Sequence, residues 1–561
     1  MDAGAIDQDL ADLVKSKDRW AALSAAERAS YLPKVRDKVL AVAEEWVAAA
    51  VDAKGIPTDS PLTGEEWLSG PYSLLGWIGA MERTLTAIAT GADPLQGLPV
   101  RTLPNGQTVV QVAPYDAKEK LLLHGFSSEV WMEPNVTPAN LRANVAAQYR
   151  DPHTDGKVAL VLGAGNIASI APLDVLYKLY ADGEVAILKM NPVNAYLGPI
   201  LEKAFEPLRD FVRFAYGAAD VGEYLCDHES VDTIHITGSA RTHDAIVYGV
   251  GPDGAFRKAS DEPRLTKPIS SELGGVGPTI VVPGPWSDKD ITFQAEHIAT
   301  QKLMNSGFNC VASQVLVLPE SWGRTTALVD AVEKQLRDAQ PRPAYYPGAD
   351  ERREAATAHA KDAVTIETGS GTLALLKDVD EYAFTEEFFG PVLATTSLPG
   401  ATAAEFLRNA VRFANDTLDG TLGANIIVHP RTAVELGPVL DEALADLRYG
   451  MIAINVWTAF GYTNPRSTWG AYPGHTNQNI GSGIGVVHNA LLFDRPQKTV
   501  VRGPFRPSPR SLLHGEFALS PRPPWFVTNR TAGVTGRRLT SYAADGSWRH
   551  VPGIFASALR G

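Results

Sequence analysis

Between residues 157 and 283 the chain alternates short apolar runs with segments of helical length: KVALVLG, VAILK, FVRFA, DTIHITG and PTIVV. Brief runs rich in Val and Ile read as strands buried on both faces. Strands spaced this way run parallel, because a parallel pair needs a crossover that carries the chain back along the sheet. The expected fold class is therefore α/β, a Rossmann-type parallel sheet with helices on both faces. Ligands of such sheets bind beyond the carboxyl ends of the strands, here near Gly163, Lys189, Gly217 and Gly238.

A second α/β region is expected from about 273 to 465, with helices near 325–338 and 402–414 and strands at NIIVH and MIAINVW. Within it, Ile291, Ala295, Ile298, Ala299 and Leu303 share one helical face, and Gly307 ends that pattern. Val315 to Leu318 read as a buried strand, so Cys310 falls in the short connection between helix and strand, where functional side chains tend to be displayed. Upstream, 8–54 and 71–91 read as amphipathic helices around the loop IPTDSPLTGEEW, without nameable chemistry, and 107–132 reads as a strand hairpin able to reach outside the main sheet. The polar stretch 250–268, GPDGAFRKASDEPRLTKP, reads as a surface loop.

At 561 residues the chain is long for one core, and its net charge of −13 argues against nucleic acid or an anionic membrane as general partners. Two isolated cysteines suit a reducing compartment and give no metal cluster, and neither a signal-peptide core nor a long apolar run occurs, so a cytoplasmic location is expected. From Arg502 onward there are nine arginines, no lysine and two acids. That tail reads as a basic arm packed on the acidic body of its own or a neighbouring subunit.

Three motifs could carry chemistry. GAGNIA at 163–168 follows a strand and opens a helix, as a dinucleotide fingerprint does, but the next strand ends in Lys189 where an acid usually holds the ribose. ITGSA puts Gly238 and Ser239 at a strand-to-helix junction, where free N–H groups suit a pyrophosphate. SELGG places Glu272 before two glycines, and EEFFGPV places Glu387 and Phe389 before Gly390 and Pro391.

As an ordered set, ELGG, NSGFNC and EEFFGPV, with Asn166, Lys189 and ITGS ahead of them, resemble the aldehyde dehydrogenase superfamily over roughly residues 110–500. The oxyanion loop GAGNIAS also looks like that of acyl-CoA reductases in the same superfamily. The resemblance implies that Cys310 is the nucleophile, Glu272 the base, and Asn166 with the Cys310 N–H the oxyanion hole. It implies that Lys189 and Glu387 hold the two riboses, that Gly238 and Ser239 meet the pyrophosphate, and that Phe389 packs near the nicotinamide. The cofactor implied is NAD or NADP, with a slight lean to NAD; the acid that would exclude a 2′-phosphate is absent, so the choice stays open. The partners implied are a small-molecule aldehyde and a second copy of the chain, as a homo-oligomeric dimer or tetramer.

On this reading 1–106 and 133–270 form the cofactor domain, 107–132 with about 495–505 an oligomerisation arm, and 271–465 the catalytic domain. Residues 466–494 return to the cofactor domain, and 506–561 form the basic arm. The activity implied is oxidation of an aldehyde to a carboxylic acid, hydrolysed by water. The alternatives are a CoA-acylating enzyme or acyl-CoA reductase, which have less need of Glu272, and an inactive binding relative.

Overall fold

A computed structural model describes residues 2–150, 155–369 and 371–561. Four of the five apolar runs form one sheet, as the alternation requires. Val158–Leu162, Val185–Lys189, Val212–Ala215 and Thr233–Gly238 pair in parallel, Ile269–Leu273 joins them in parallel, and Gly483–Ile484 closes the edge antiparallel.

The fifth run belongs elsewhere. Gly277–Val281 lies inside an eleven-stranded sheet, between Gly423–Ile427 and Ser313–Pro319. The chain changes sheets at Gly274 and Gly275, where side chains have no room. A Cβ on Gly274 would lie 2.1 Å from the Glu387 carboxylate, and one on Gly275 2.8 Å from Gly420. Glu272 therefore ends one sheet just before the second begins. In the second sheet Val315 and Val317 face one apolar core while Leu316 and Leu318 face the other. That two-sided burial explains the continuous apolar run after Cys310.

Three expectations change. The hairpin Thr108–Ala113 and Ser127–Met132, with a short helix Ala117–Leu122 in its connection, does not stand outside the sheet. Its second strand pairs with Pro496–Arg502, which runs parallel to Met451–Ile454, so the hairpin extends the eleven-stranded sheet within the same chain. The stretch 250–268 is not all loop, since Gly251–Ser260 is a helix. Pro252 sits in its first turn, where an N–H is not needed, and Asp253 at one end with Arg257 and Lys258 at the other oppose the helix dipole. Thr63–Trp67 is likewise a short helix inside the stretch read as a loop. Its acids are buried rather than solvated, so polarity misled the reading.

The C-terminal arm lies across the body of its own chain. Arg506 pairs with Asp290 at 2.8 Å, Arg522 with Glu296 at 3.4 Å, and Phe526 stacks on Phe293. The helix Ala532–Asp545 then packs on Thr63–Trp67 so closely that a Cβ on Gly64 would meet the Ala532 backbone at 2.5 Å. Among the described residues no helix is long and apolar enough to cross a membrane.

Candidate active site

Cys310 sits in the turn between the helix Asp288–Leu303 and the strand Ser313–Pro319, at the seam between the two sheets. The approach to it is strained. Asn305, Ser306 and Gly307 all have left-handed backbone, with φ of 52°, 58° and 82°. For the two non-glycine residues that conformation costs about 1–2 kcal/mol each. Gly307 is required twice over, because a Cβ there would lie 2.5 Å from the Gly390 carbonyl oxygen.

A buried polar network holds this turn. The Asn305 N–H donates to Glu65 Oε2 at 2.7 Å, and Asn305 Oδ1 accepts from Lys54 Nζ and the Tyr345 hydroxyl, each at 3.0 Å. Lys54 pairs with Glu66 at 2.8 Å, and Arg342 pairs with Glu65 at 2.8 Å. The same donors fix Asn166: its backbone carbonyl accepts from Tyr345 at 3.0 Å, Asn305 Nδ2 at 3.1 Å and Lys54 at 3.3 Å. The Asn166 side-chain amide donates to the Phe308 carbonyl at 2.9 Å, two residues before Cys310. A primary amide carries two N–H bonds, so one remains for a ligand. The amino-terminal helices, which looked empty of chemistry, therefore supply Lys54, Glu65 and Glu66 to this turn.

Replacing Lys54 by Met leaves Glu66 buried without its partner, a change that costs about 3–5 kcal/mol in comparable pairs. The thermal midpoint of Lys54→Met is expected to fall, and Lys54→Met with Glu66→Leu to regain most of it. Turnover is expected to stay low in both, because neither restores the donor to Asn305 and Asn166.

Glu272 reaches Cys310 directly. Its Oε1 lies 3.7 Å from Sγ and accepts from the Trp469 indole N–H at 2.5 Å. Burial, with the charge of Asp174 second, raises the Glu272 carboxyl to about 8. Burial, followed by the Glu272 and Glu387 carboxylates, pushes the Cys310 thiol well above its usual value. The resting pair is thus a neutral thiol beside a carboxyl group that ionises in the mildly alkaline range. Such a pair can pass a proton from sulfur to oxygen and leave a thiolate in an environment dry enough to make it reactive. Trp469, whose indole holds the Glu272 carboxyl, lies on the short strand Thr468–Gly470 at the end of the stretch NVWTAFGYTNPRSTWG; an indole in a polar, Gly- and Pro-rich stretch was the available signal.

Of the remaining expected residues, Glu387 packs against Gly274 at the crossing, and Lys189, Gly238 and Ser239 stand at strand ends of the six-stranded sheet. Lys189 ends its strand, mostly buried, with no hydrogen bond to its ammonium among the described residues, and burial lowers its pKa. Ser239 caps the following helix by accepting from the Thr242 N–H, with Gly238 just before it on the open edge of the sheet. Glu387 Oε1 is buried without a partner among the described residues. Burial raises the Glu387 carboxyl to about 7 against the opposing Gly275 N–H, Lys302 and Arg352. Phe389 joins an aromatic cluster with Tyr346 at 5.0 Å and Phe308 at 5.8 Å. An unpaired cation and an unpaired carboxylate at the carboxyl edge of a parallel sheet fit the hydroxyls and phosphates of a dinucleotide.

A cluster of Asp290, His429 and His514 elsewhere has metal-ligand composition. Its carboxylate is already held by Arg506 at 2.8 Å and by Ser287.

The sequence profile of the aldehyde dehydrogenase family matches residues 181–357, the part that holds Lys189, Ser239, Glu272 and Cys310. The chain is 29% identical over 219 residues to N-succinylglutamate 5-semialdehyde dehydrogenase 1 of Caulobacter vibrioides, covering 35% of this chain and 43% of that protein. It is 25% identical over 349 residues to the NADP-dependent glyceraldehyde-3-phosphate dehydrogenase of Streptococcus equinus, covering 60% and 58%. The matched stretches span about half the length of these curated relatives. Among solved structures, an NAD-dependent aldehyde dehydrogenase from Sinorhizobium meliloti aligns over 90% of this chain and 88% of its own, with TM-score 0.59 and 20% identity. Lactaldehyde dehydrogenase from Escherichia coli aligns over 88% and 91%, with TM-score 0.57 and 18% identity. Residues 181–357 thus match the aldehyde dehydrogenase family profile, and the chain as a whole has the fold of aldehyde dehydrogenase structures.

Proposed function

We propose that this protein oxidises an aldehyde to a carboxylic acid with NAD or NADP, through a covalent intermediate on Cys310 that is hydrolysed by water activated at Glu272. The observation that carries this reading is the direct contact between Glu272 Oε1 and Cys310 Sγ at 3.7 Å. Glu272 takes the thiol proton, the sulfur adds to the aldehyde carbon, and the second Asn166 amide hydrogen with the Cys310 N–H meets the oxyanion. Donors of this kind contribute roughly 3–4 kcal/mol each where they have been removed. Lys189, Ser239 and Glu387 would hold the dinucleotide, which when bound would supply the hydride acceptor needed to turn the adduct into a thioester. Glu272 gives up the thiol proton, then takes one from water as the water oxygen attacks the acyl carbon, and returns it to the departing sulfur.

A glutamate contacting the sulfur favours water over CoA as the acyl acceptor, since transfer to a thiol needs no such base. Incubating the protein with a panel of aldehydes and either cofactor, with and without CoA, tests this. Reduced cofactor is expected without CoA. A strict need for CoA would contradict the reading.

A further inference from the structure

The base Glu272 is enclosed, so the proton it gathers on each turnover needs a way out. Strand register supplies a line of polar groups behind it. Thr237 lies opposite Glu272 and His235 opposite Ser270 in the parallel pair of Thr233–Gly238 with Ile269–Leu273. Alternation along the strands then puts His235, Thr237, Ser270 and Glu272 on one face of the sheet. The helix Ile170–Tyr177 covers that face and brings in Asp174, which is buried at 1% exposure.

The polar atoms run in sequence, through hydrogen bonds at Thr237 and Ser270 and a 3.6 Å approach of His235 to Asp174. Thr237 Oγ1 donates to Asp174 Oδ2 at 3.0 Å, His235 Nε2 lies 3.6 Å from the same oxygen, and His235 Nδ1 lies 2.9 Å from Ser270 Oγ. Ser270 is partly exposed. Asp174 Oδ1 and Glu272 Oε2 are both buried and without partners among the described residues. A buried carboxylate beside an imidazole is costly unless fully satisfied, and a purely structural pair would not leave two carboxylate oxygens unspent.

We propose that Asp174 and His235 form a buried proton line that carries the proton collected by Glu272 to the protein surface at Ser270. Once the thioester has formed, Glu272 holds the thiol proton and must lose it before it can act on water. That proton passes to Asp174, then to His235 Nε2, while Nδ1 releases a proton to Ser270 and solvent. In the hydrolytic step the water O–H bond breaks, the oxygen bonds the acyl carbon, the carbon–sulfur bond breaks, and Glu272 returns the water proton to sulfur, so one proton leaves by this line per turnover. Both residues act through Glu272 and are positioning groups. The groups facing Asp174 are His235 and Thr237 from one strand, Glu272 from the next, and His488 and Tyr462 from the segments packed above. Glu272 is faced in turn by Cys310, Trp469 and Asp174.

This rests on the reading of Glu272 as the water-activating base. Asp174→Asn and His235→Gln are expected to keep the first burst of reduced cofactor and to lose tenfold or more in steady turnover. In Asp174→Asn the alkaline rise of activity is also expected to move to lower pH, because a negative charge next to Glu272 is gone. In the wild-type enzyme a plot of rate against deuterium content of the solvent is expected to be bowed, since several protons move together. A straight plot overturns the line, as do variants that match wild type or that lose burst and turnover equally. Glu272→Gln run alongside separates the two ideas: if it keeps steady turnover, the base reading itself has failed.

Discussion

With Glu272 replaced by Gln, the enzyme is expected to release one burst of reduced cofactor and then stall. Gln keeps the size of the side chain and can still meet the Trp469 indole through its carbonyl oxygen, so the fold should hold. What it lacks is the capacity to take a proton. Loss of a general base costs typically 10²–10⁴-fold, and here the loss should fall on the hydrolytic step. The burst itself should be slower, since in the proposed mechanism Glu272 also deprotonates the thiol. Wild-type turnover is expected to rise with pH through a midpoint near 8, the value to which burial raises this carboxyl. The sign follows from the charge: below the midpoint Glu272 is protonated and cannot act as a base. Steady-state and stopped-flow rates across pH 6–10 check both points, and in Glu272→Gln that limb should disappear.

The parallel sheet could be read from the alternation of apolar runs, because burial on two faces leaves few other folds for such runs. What the pattern could not show was where one sheet ended. PTIVV looks like its predecessors, and only the crowding at Gly274 and Gly275 sends it to the second sheet. The hairpin's place was equally hidden, since strand pairing over several hundred residues leaves no local mark.

Cys310, Glu272 and Asn166 could be picked out because glycines and strand ends frame them. Their supports could not. Lys54 caps an ordinary amphipathic helix and Glu65 and Glu66 lie in a polar stretch that reads as a loop, where charges are normally solvated, and their burial depends on a loop nearly 250 residues away. Asp174 and His235 follow helix and strand periodicity, and only the packing of the helix Ile170–Tyr177 on the sheet brings them together. A polar residue at every second place of a buried strand, as in TIHIT, was the sign available.

Cys310→Ala is expected to abolish turnover, by a factor on the order of 10⁴ or more, as for other nucleophiles in covalent mechanisms. The sulfur is the only atom of this turn that can hold the acyl group, and no neighbouring side chain could replace it: Ser306 donates to the Pro343 carbonyl instead. The other cysteine, Cys226, is buried and its thiol is pushed up to about 11 by its surroundings, so it offers no substitute. The most direct measurement is the intact mass of the Glu272→Gln protein after reaction with an aldehyde and cofactor. An acyl adduct on the peptide that contains Cys310, absent when Cys310 is Ala, is the expected result. Full turnover by the Cys310→Ala protein, or an adduct on any other residue, would contradict it.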